Sequence, residues 1–167
     1  GLTAAFIDKG VYSGESYRPQ LVLNNHKLGQ KVLTSLETEL NNCDEFFISV
    51  AFITMSGITP LLQTLQELEA DGVKGKIITT DYLSFSEPAA LEKLNSFRNI
   101  ELKFYCAGDR GFHTKGYIFR RGEEYRIIVG SANLTSNALT RNEEWNTKLV
   151  SMEQGEYTEG IIRRFHE

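Results

Sequence analysis

The sequence predicts an α/β domain, a mixed β-sheet flanked by helices on both faces. Three observations point there. Short apolar runs at 45–52, 76–80 and 100–106 alternate with helically spaced segments, the pattern of parallel strands joined by crossover helices. After position 106 the pattern changes to two strands, 115–120 and 125–129, joined by a short glycine-containing turn, which adds antiparallel pairing. The chain has 167 residues and 41% apolar content, enough for one domain with its own core. Residues 1–167 are read as that single domain, with 1–24 as a loop-rich N-terminal segment.

The elements follow in order. Tyr12, Ser13, Gly14 and Pro19 mark a loop, with a short extended piece at 20–23. Asn24 or Asn25 can cap the next element. Apolar residues at 28, 32, 33, 36 and 40 keep helical spacing, which predicts an amphipathic helix over 28–40. The run EFFISVAF at 45–52 is apolar on both faces and reads as a buried central strand. Ser56-Gly57 is expected to break it. Thr59-Pro60 then starts a helix with Leu61, Leu62, Leu65 and Leu68 on one side. Asp71-Gly72 ends that helix before a strand at 76–80. Ser86 with Pro88 opens a helix through Phe97, and 100–106 is a strand. Residues 108–111 form a loop delivering His113. The hairpin turn is Arg121-Gly122-Glu123-Glu124. A short helix or turn at 133–140, a strand at 144–150 and a closing helix at 154–165 complete the chain.

Composition narrows the class. The net charge of −4 argues against broad electrostatic coating of DNA and leaves room for a local basic cleft. Cys43 and Cys106 lack metal-type spacing and read as buried thiols of a cytoplasmic protein. No apolar run approaches the ~20 residues of a membrane-spanning helix, and no signal peptide is visible, so no membrane partner is expected. Gly1 reads as a tag remnant or the boundary of a fragment.

Chemistry concentrates between Phe112 and Asn146. His113 and Lys115 are two apart, so on extended backbone both point to one side and Thr114 to the other. A nucleophile beside a fixed positive charge suits attack on a phosphate, because the Lys neutralises charge on the non-bridging oxygens. Fifteen residues after Lys115 comes the turn Gly130-Ser131-Ala132-Asn133, whose Asn133 amide can donate to the same phosphate. Glu143 and Glu144 follow. A carboxylate on the far ring nitrogen would fix the tautomer of His113. Adjacent residues of a strand face opposite ways, so only one of the two acids can serve.

Each residue also has an ordinary explanation. A lone histidine is usually structural, Lys115 could blunt an edge strand, and Ser131 and Asn133 could merely shape a turn. Their order along the chain favours a site. His26 and His166 are read as surface residues, and Trp145 as core rather than a base-stacking platform. Arg110, Arg120, Arg121, Arg126 and Arg141 could include contacts to a DNA backbone, but so scattered a set reads as surface charge. One His with nearby acids is a poor zinc set, so no metal site is expected.

His113-x-Lys115, the later Gly-Ser-x-Asn turn and a Glu beyond it resemble the HKD motif of the phospholipase D superfamily, in its nuclease branch. The family's Asp falls at position 120, where this chain has Arg120. Glu144, eleven residues after Asn133, is the better-spaced acid. The words VAFITMSGI, ITTDYLSFSEPAAL, FHTKGYIF, VGSANLT and NEEWN resemble the N-terminal nuclease-like domain of bacterial DEAD/DEAH-box helicases linked to restriction or repair. The resemblance spans about 21–149.

The resemblance implies a metal-independent phosphodiesterase acting on DNA. His113 would form a phosphohistidine, Lys115 and Asn133 would hold the phosphate oxygens with Ser131 assisting, and Glu144 would orient His113. No cofactor is implied; ATP and Mg²⁺ belong to a covalently linked helicase part absent from this chain. The alternative is a catalytically inactive DNA-binding or dimerisation module of the same fold. A lipid phosphodiesterase is disfavoured because no amphipathic membrane-binding stretch is present. The leaving alkoxide needs a proton that the phosphorylated histidine cannot give, and the chain has one His-x-Lys. A C2 homodimer with a shared active site, each subunit giving His113, is therefore expected.

Overall fold

A computed structural model describes residues 18–80, 86–105, 115–152, 160 and 163. Its strands are β1 (Gln20–Val22), β2 (Glu45–Ser49), β3 (Lys74–Thr80), β4 (Ile100–Tyr105), β5 (Lys115–Arg121), β6 (Glu124–Gly130) and β7 (Asn146–Met152). They form one sheet of order β1-β7-β6-β5-β2-β3-β4. β2, β3 and β4 run parallel, and the remaining pairs are antiparallel. The helices are α1 (Val32–Leu40), α2 (Met55–Ile58), α3 (Leu62–Ala70), α4 (Pro88–Asn95) and α5 (Ser136–Thr140). The α/β class and the mixed sheet are as the sequence predicts.

β2 is apolar throughout because it is central. Phe46 and Ile48 join a large cluster with Leu36, Leu65, Leu94 and Tyr117, to which α1, α3 and α4 contribute. Phe47 faces the other way into a smaller cluster with Ile118, Tyr125 and Ile127. α1 is also tied to the sheet by charge. The buried Glu39 carboxylate meets Arg126 Nε at 2.7 Å and Lys148 Nζ at 2.6 Å. Two cations and a direct hydrogen bond compensate the desolvation of that one anion.

Several boundaries differ from expectation, each for a local reason. The helix expected over 28–40 begins at Val32. Asn25 accepts from the amides of Lys27 and Leu28, winding a 3₁₀ turn over His26–Leu28, and Gly29 at φ 64° stops it. Asn24 Oδ1 then accepts from Val32 N at 2.9 Å and caps α1. Ser56-Gly57 is not what ends the strand: β2 stops at Ser49, and both residues lie within α2, which Thr54 caps through Gly57 N. Gly57 is required there because the Leu134 carbonyl occupies the place of a Cβ. Pro60 sits in a 3₁₀ turn, Thr59–Leu61, that leads into α3. Ser86 does not cap α4; its Oγ accepts from Ile53 N at 3.1 Å. β2 ends at Ser49 and β7 begins at Asn146, so Glu144 precedes its strand. The loop 108–111 and His113 lie outside the described residues, as does most of the expected closing helix 154–165, of which 160 and 163 are helical.

Cys43 is buried, as expected, and burial pushes its thiol up from 9.0 to about 12. The folded state therefore holds the proton more tightly than the unfolded chain. The stability this contributes is present below pH 9 and is lost as pH rises towards about 12. In a Cys106→Ser background, the Cys43 thiol should react with a disulfide reagent at pH 8 only after denaturation. Rapid reaction of the native protein would contradict the burial. Gly57→Ala should cost about 1–3 kcal/mol, read as a lower urea midpoint at constant slope, because its methyl meets backbone rather than a movable side chain.

Candidate active site

The register gathers the predicted residues at one edge of the sheet. Ser49 at the end of β2 lies opposite Gly116, Lys115 opposite Gly130, and Gly130 opposite Asn146. The carboxyl ends of β2 and β3, the start of β5, the end of β6 and the start of β7 thus share an edge. Ligand crevices of open α/β sheets lie outside the carboxyl ends of such strands.

Asn133 is the best-defined group there. Its Oδ1 accepts from Ala51 N at 3.0 Å and Phe52 N at 3.1 Å. With its oxygen fixed in this way, the amide NH₂ is turned away from the β2 loop and has no partner among the described residues. The two loops are stitched further by Leu134 N to Phe52 O at 3.2 Å and Thr54 N to Leu134 O at 3.0 Å.

Buried groups brace the turn from beneath. Tyr117, two residues after Lys115 on the same face of β5, donates its hydroxyl to Ala132 O at 2.7 Å. Burial pushes its phenol above the ordinary range, and the Glu144 carboxylate pushes it the same way, so Tyr117 is a neutral donor. Asn146 is buried, accepts from Ala132 N at 3.3 Å and donates to Val22 O at 3.2 Å. Gly130 has no Cβ, and the Trp145 carbonyl and Asn146 fill that space.

Ser131 connects the turn to the acid. Its Oγ donates to Glu144 Oε2 and accepts from Trp145 N at 3.2 Å. Lys115, half-buried, opens β5 opposite Gly130. The structure therefore brings Lys115, Ser131, Asn133 and Glu144 to one edge. His113 lies outside the described residues. Glu143 is exposed. Among the described residues no group of three or more His, Cys, Asp or Glu is placed to hold a metal ion.

Two expectations change. Trp145 is not core: it is 76% exposed, because Asn146 and not Trp145 inserts beneath the turn. Arg120 is not scattered surface charge. It lies five residues along β5 from Lys115, about 17 Å away, and its Nε meets Glu45 Oε2 at 3.2 Å at the opposite edge of the sheet. Arg126 likewise pairs with Glu39 and Glu124. Tyr117 and Asn146, the bracing residues, carried no separable signal. Tyr117 reads as an ordinary strand residue, and a lone Asn at a strand start has no periodicity.

A Gly-Ser-Ala-Asn turn is thus pinned to the central strand of a mixed sheet, with Lys115 opening the neighbouring strand opposite Gly130. Residues 36–166 match the family described as "Cardiolipin synthase, PLD-like domain", and the chain belongs to that family. A comparison with curated protein sequences finds no match. Among solved structures the chain is similar to NucT from Helicobacter pylori, with a TM-score of 0.68 and 16% identity over 89% of this chain and 93% of that one. It is similar to the phospholipase D family member Nuc from Salmonella typhimurium, at 0.62 and 18% over the same shares. It is also similar to the yeast tyrosyl-DNA phosphodiesterase, at 0.60 and 15%, over 90% of this chain and 38% of that one. Identities this low establish the fold.

Asn133 allows stability and ligand binding to be separated. Asn133→Ala removes the side-chain acceptor of two backbone amides and should cost about 2 kcal/mol in urea unfolding. Asn133→Asp keeps the acceptor and should stay within about 1 kcal/mol of the parent. It also turns an anion towards the crevice, so calorimetric titration with tungstate should show lost affinity. Undiminished tungstate binding by Asn133→Asp would mean the amide does not face the ligand.

Proposed function

We propose that this domain is a metal-independent phosphodiesterase that cleaves DNA through a phosphohistidine. The observation that carries it is the Asn133 amide, whose oxygen is fixed by Ala51 and Phe52 so that its NH₂ is presented at the edge where Lys115 begins β5. Two donors, one of them cationic, suit the non-bridging oxygens of a phosphodiester. His113, two residues before Lys115, supplies the nucleophile. Its ring nitrogen bonds to phosphorus as the bond to the leaving oxygen breaks. That oxygen takes a proton from a second histidine in line with it. Water then attacks the phosphohistidine, gives its proton to the second histidine, and frees His113 and a phosphomonoester. Glu144 has one oxygen engaged by Ser131 and the other available to the far nitrogen of His113. Lys115 provides the charge that a metal provides elsewhere.

The second histidine is His113 of another copy, in a C2 homodimer built around one shared site. Pooling two Lys115 side chains in one cleft reconciles phosphate binding with a net charge of −4. DNA as substrate is supported by the helicase-like words of the sequence and by the likeness to a tyrosyl-DNA phosphodiesterase. The same words support linkage to a helicase within a longer chain. The inactive-module reading drew on Arg120 at the family's Asp position. Its pairing with Glu45, far from Lys115, supports the reading in which the chemistry does not depend on that position.

Turnover of bis(p-nitrophenyl) phosphate should persist in EDTA and fall by several orders of magnitude in His113→Ala, with the fold retained by circular dichroism. Activity that disappears in EDTA and returns only with Mg²⁺ would contradict the mechanism. A fully active monomer, shown by light scattering at assay concentration, would contradict the shared site.

A further inference from the structure

Trp145 is the only tryptophan of the chain and is 76% exposed. A single exposed apolar side chain is ordinary in itself. Its setting is not. The main chain of Trp145 is held on both sides by the phosphate turn: its N–H donates to Ser131 Oγ at 3.2 Å and its carbonyl accepts from Ser131 N at 3.3 Å. That carbonyl fills the space a side chain at Gly130 would need. The preceding residue, Glu144, accepts from Ser131 Oγ. The following residue, Asn146, is buried beneath the turn. A large planar ring is thus mounted on rigid backbone, one residue from the acid of the site, with most of its surface in water.

We infer that Trp145 is a stacking platform for an unpaired nucleobase beside the scissile phosphate, and that the substrate is single-stranded nucleic acid. The inference rests on the phosphodiesterase reading and adds the substrate class. The main chain of Trp145 is bonded to Ser131, two residues before Asn133, so the ring is mounted beside the turn that would hold the phosphate. Bases in a duplex have both faces covered, whereas an unpaired base offers a face to an aromatic side chain. The chain carries a net charge of −4, so it lacks the broad basic character of a nonspecific nucleic-acid binder. Stacking supplies attraction that does not depend on basic residues. Immobilising a ring with few torsions also costs little entropy.

The single tryptophan makes a direct test possible. Full-length protein carrying His113→Ala, to prevent cleavage, would be titrated with a short oligothymidylate and with an abasic deoxyribose-phosphate oligomer of equal length. The oligothymidylate should quench the tryptophan emission saturably and the abasic oligomer should not. By fluorescence anisotropy of labelled oligomers, Trp145→Ala should weaken oligothymidylate binding roughly tenfold or more. Abasic binding should be unmoved and Trp145→Phe should restore most of the loss. No saturable quenching, or equal losses for both oligomers, would overturn the inference. So would a changed oligomeric state of Trp145→Ala with unchanged oligothymidylate binding, which would mark the ring as a subunit contact. The phosphodiesterase reading is tested separately by turnover of bis(p-nitrophenyl) phosphate in the parent protein. Turnover without stacking removes this inference alone, and absent turnover removes the reading beneath it.

Discussion

The acceptance of two backbone amides by one side-chain oxygen, Asn133 Oδ1 from Ala51 and Phe52, is the contact on which the site depends. Those amides belong to the segment just past β2, where the central strand leaves the sheet. Satisfying them decides which way the amide points. The same bonds that follow β2 therefore fix a hydrogen-bond donor at the edge where Lys115 begins β5, so fold and candidate site share one constraint. The surrounding contacts reinforce it: Gly57 lets α2 approach the Leu134 backbone, and Tyr117 holds Ala132 from below.

Charge is distributed in two sets. Glu39 with Arg126 and Lys148, and Glu45 with Arg120, tie helix to sheet and strand to strand. Lys115 and Glu144 stand apart at the opposite edge, joined to the turn through register and Ser131. Two of the five arginines that read as scattered surface charge, Arg120 and Arg126, are structural.

Much of this was legible in the sequence. The central strand showed itself because both its faces are apolar, and the hairpin because a glycine turn joins two alternating runs. The order Lys115, Ser131, Asn133, Glu144 foretold their shared edge, since the register of three antiparallel strands turns sequence spacing into proximity. What was not legible depended on close approach. That Gly57 continues a helix follows from where Leu134 lies. Glu144 sits before its strand because Asn146 takes the buried position. Trp145, which hydropathy sends to the core, is left outside for the same reason.

The most direct measurement is a crystal structure of the intact protein with orthovanadate bound. The vanadate should lie at the carboxyl edge of β2, with the Asn133 NH₂ and Lys115 Nζ on its equatorial oxygens and the His113 ring on the metal atom's axis. In the shared-site arrangement the partner copy supplies the opposite axial group. Vanadate bound away from Asn133, or an Asn133 amide turned so that its oxygen faces the anion, would contradict the assignment of this turn as the phosphate holder.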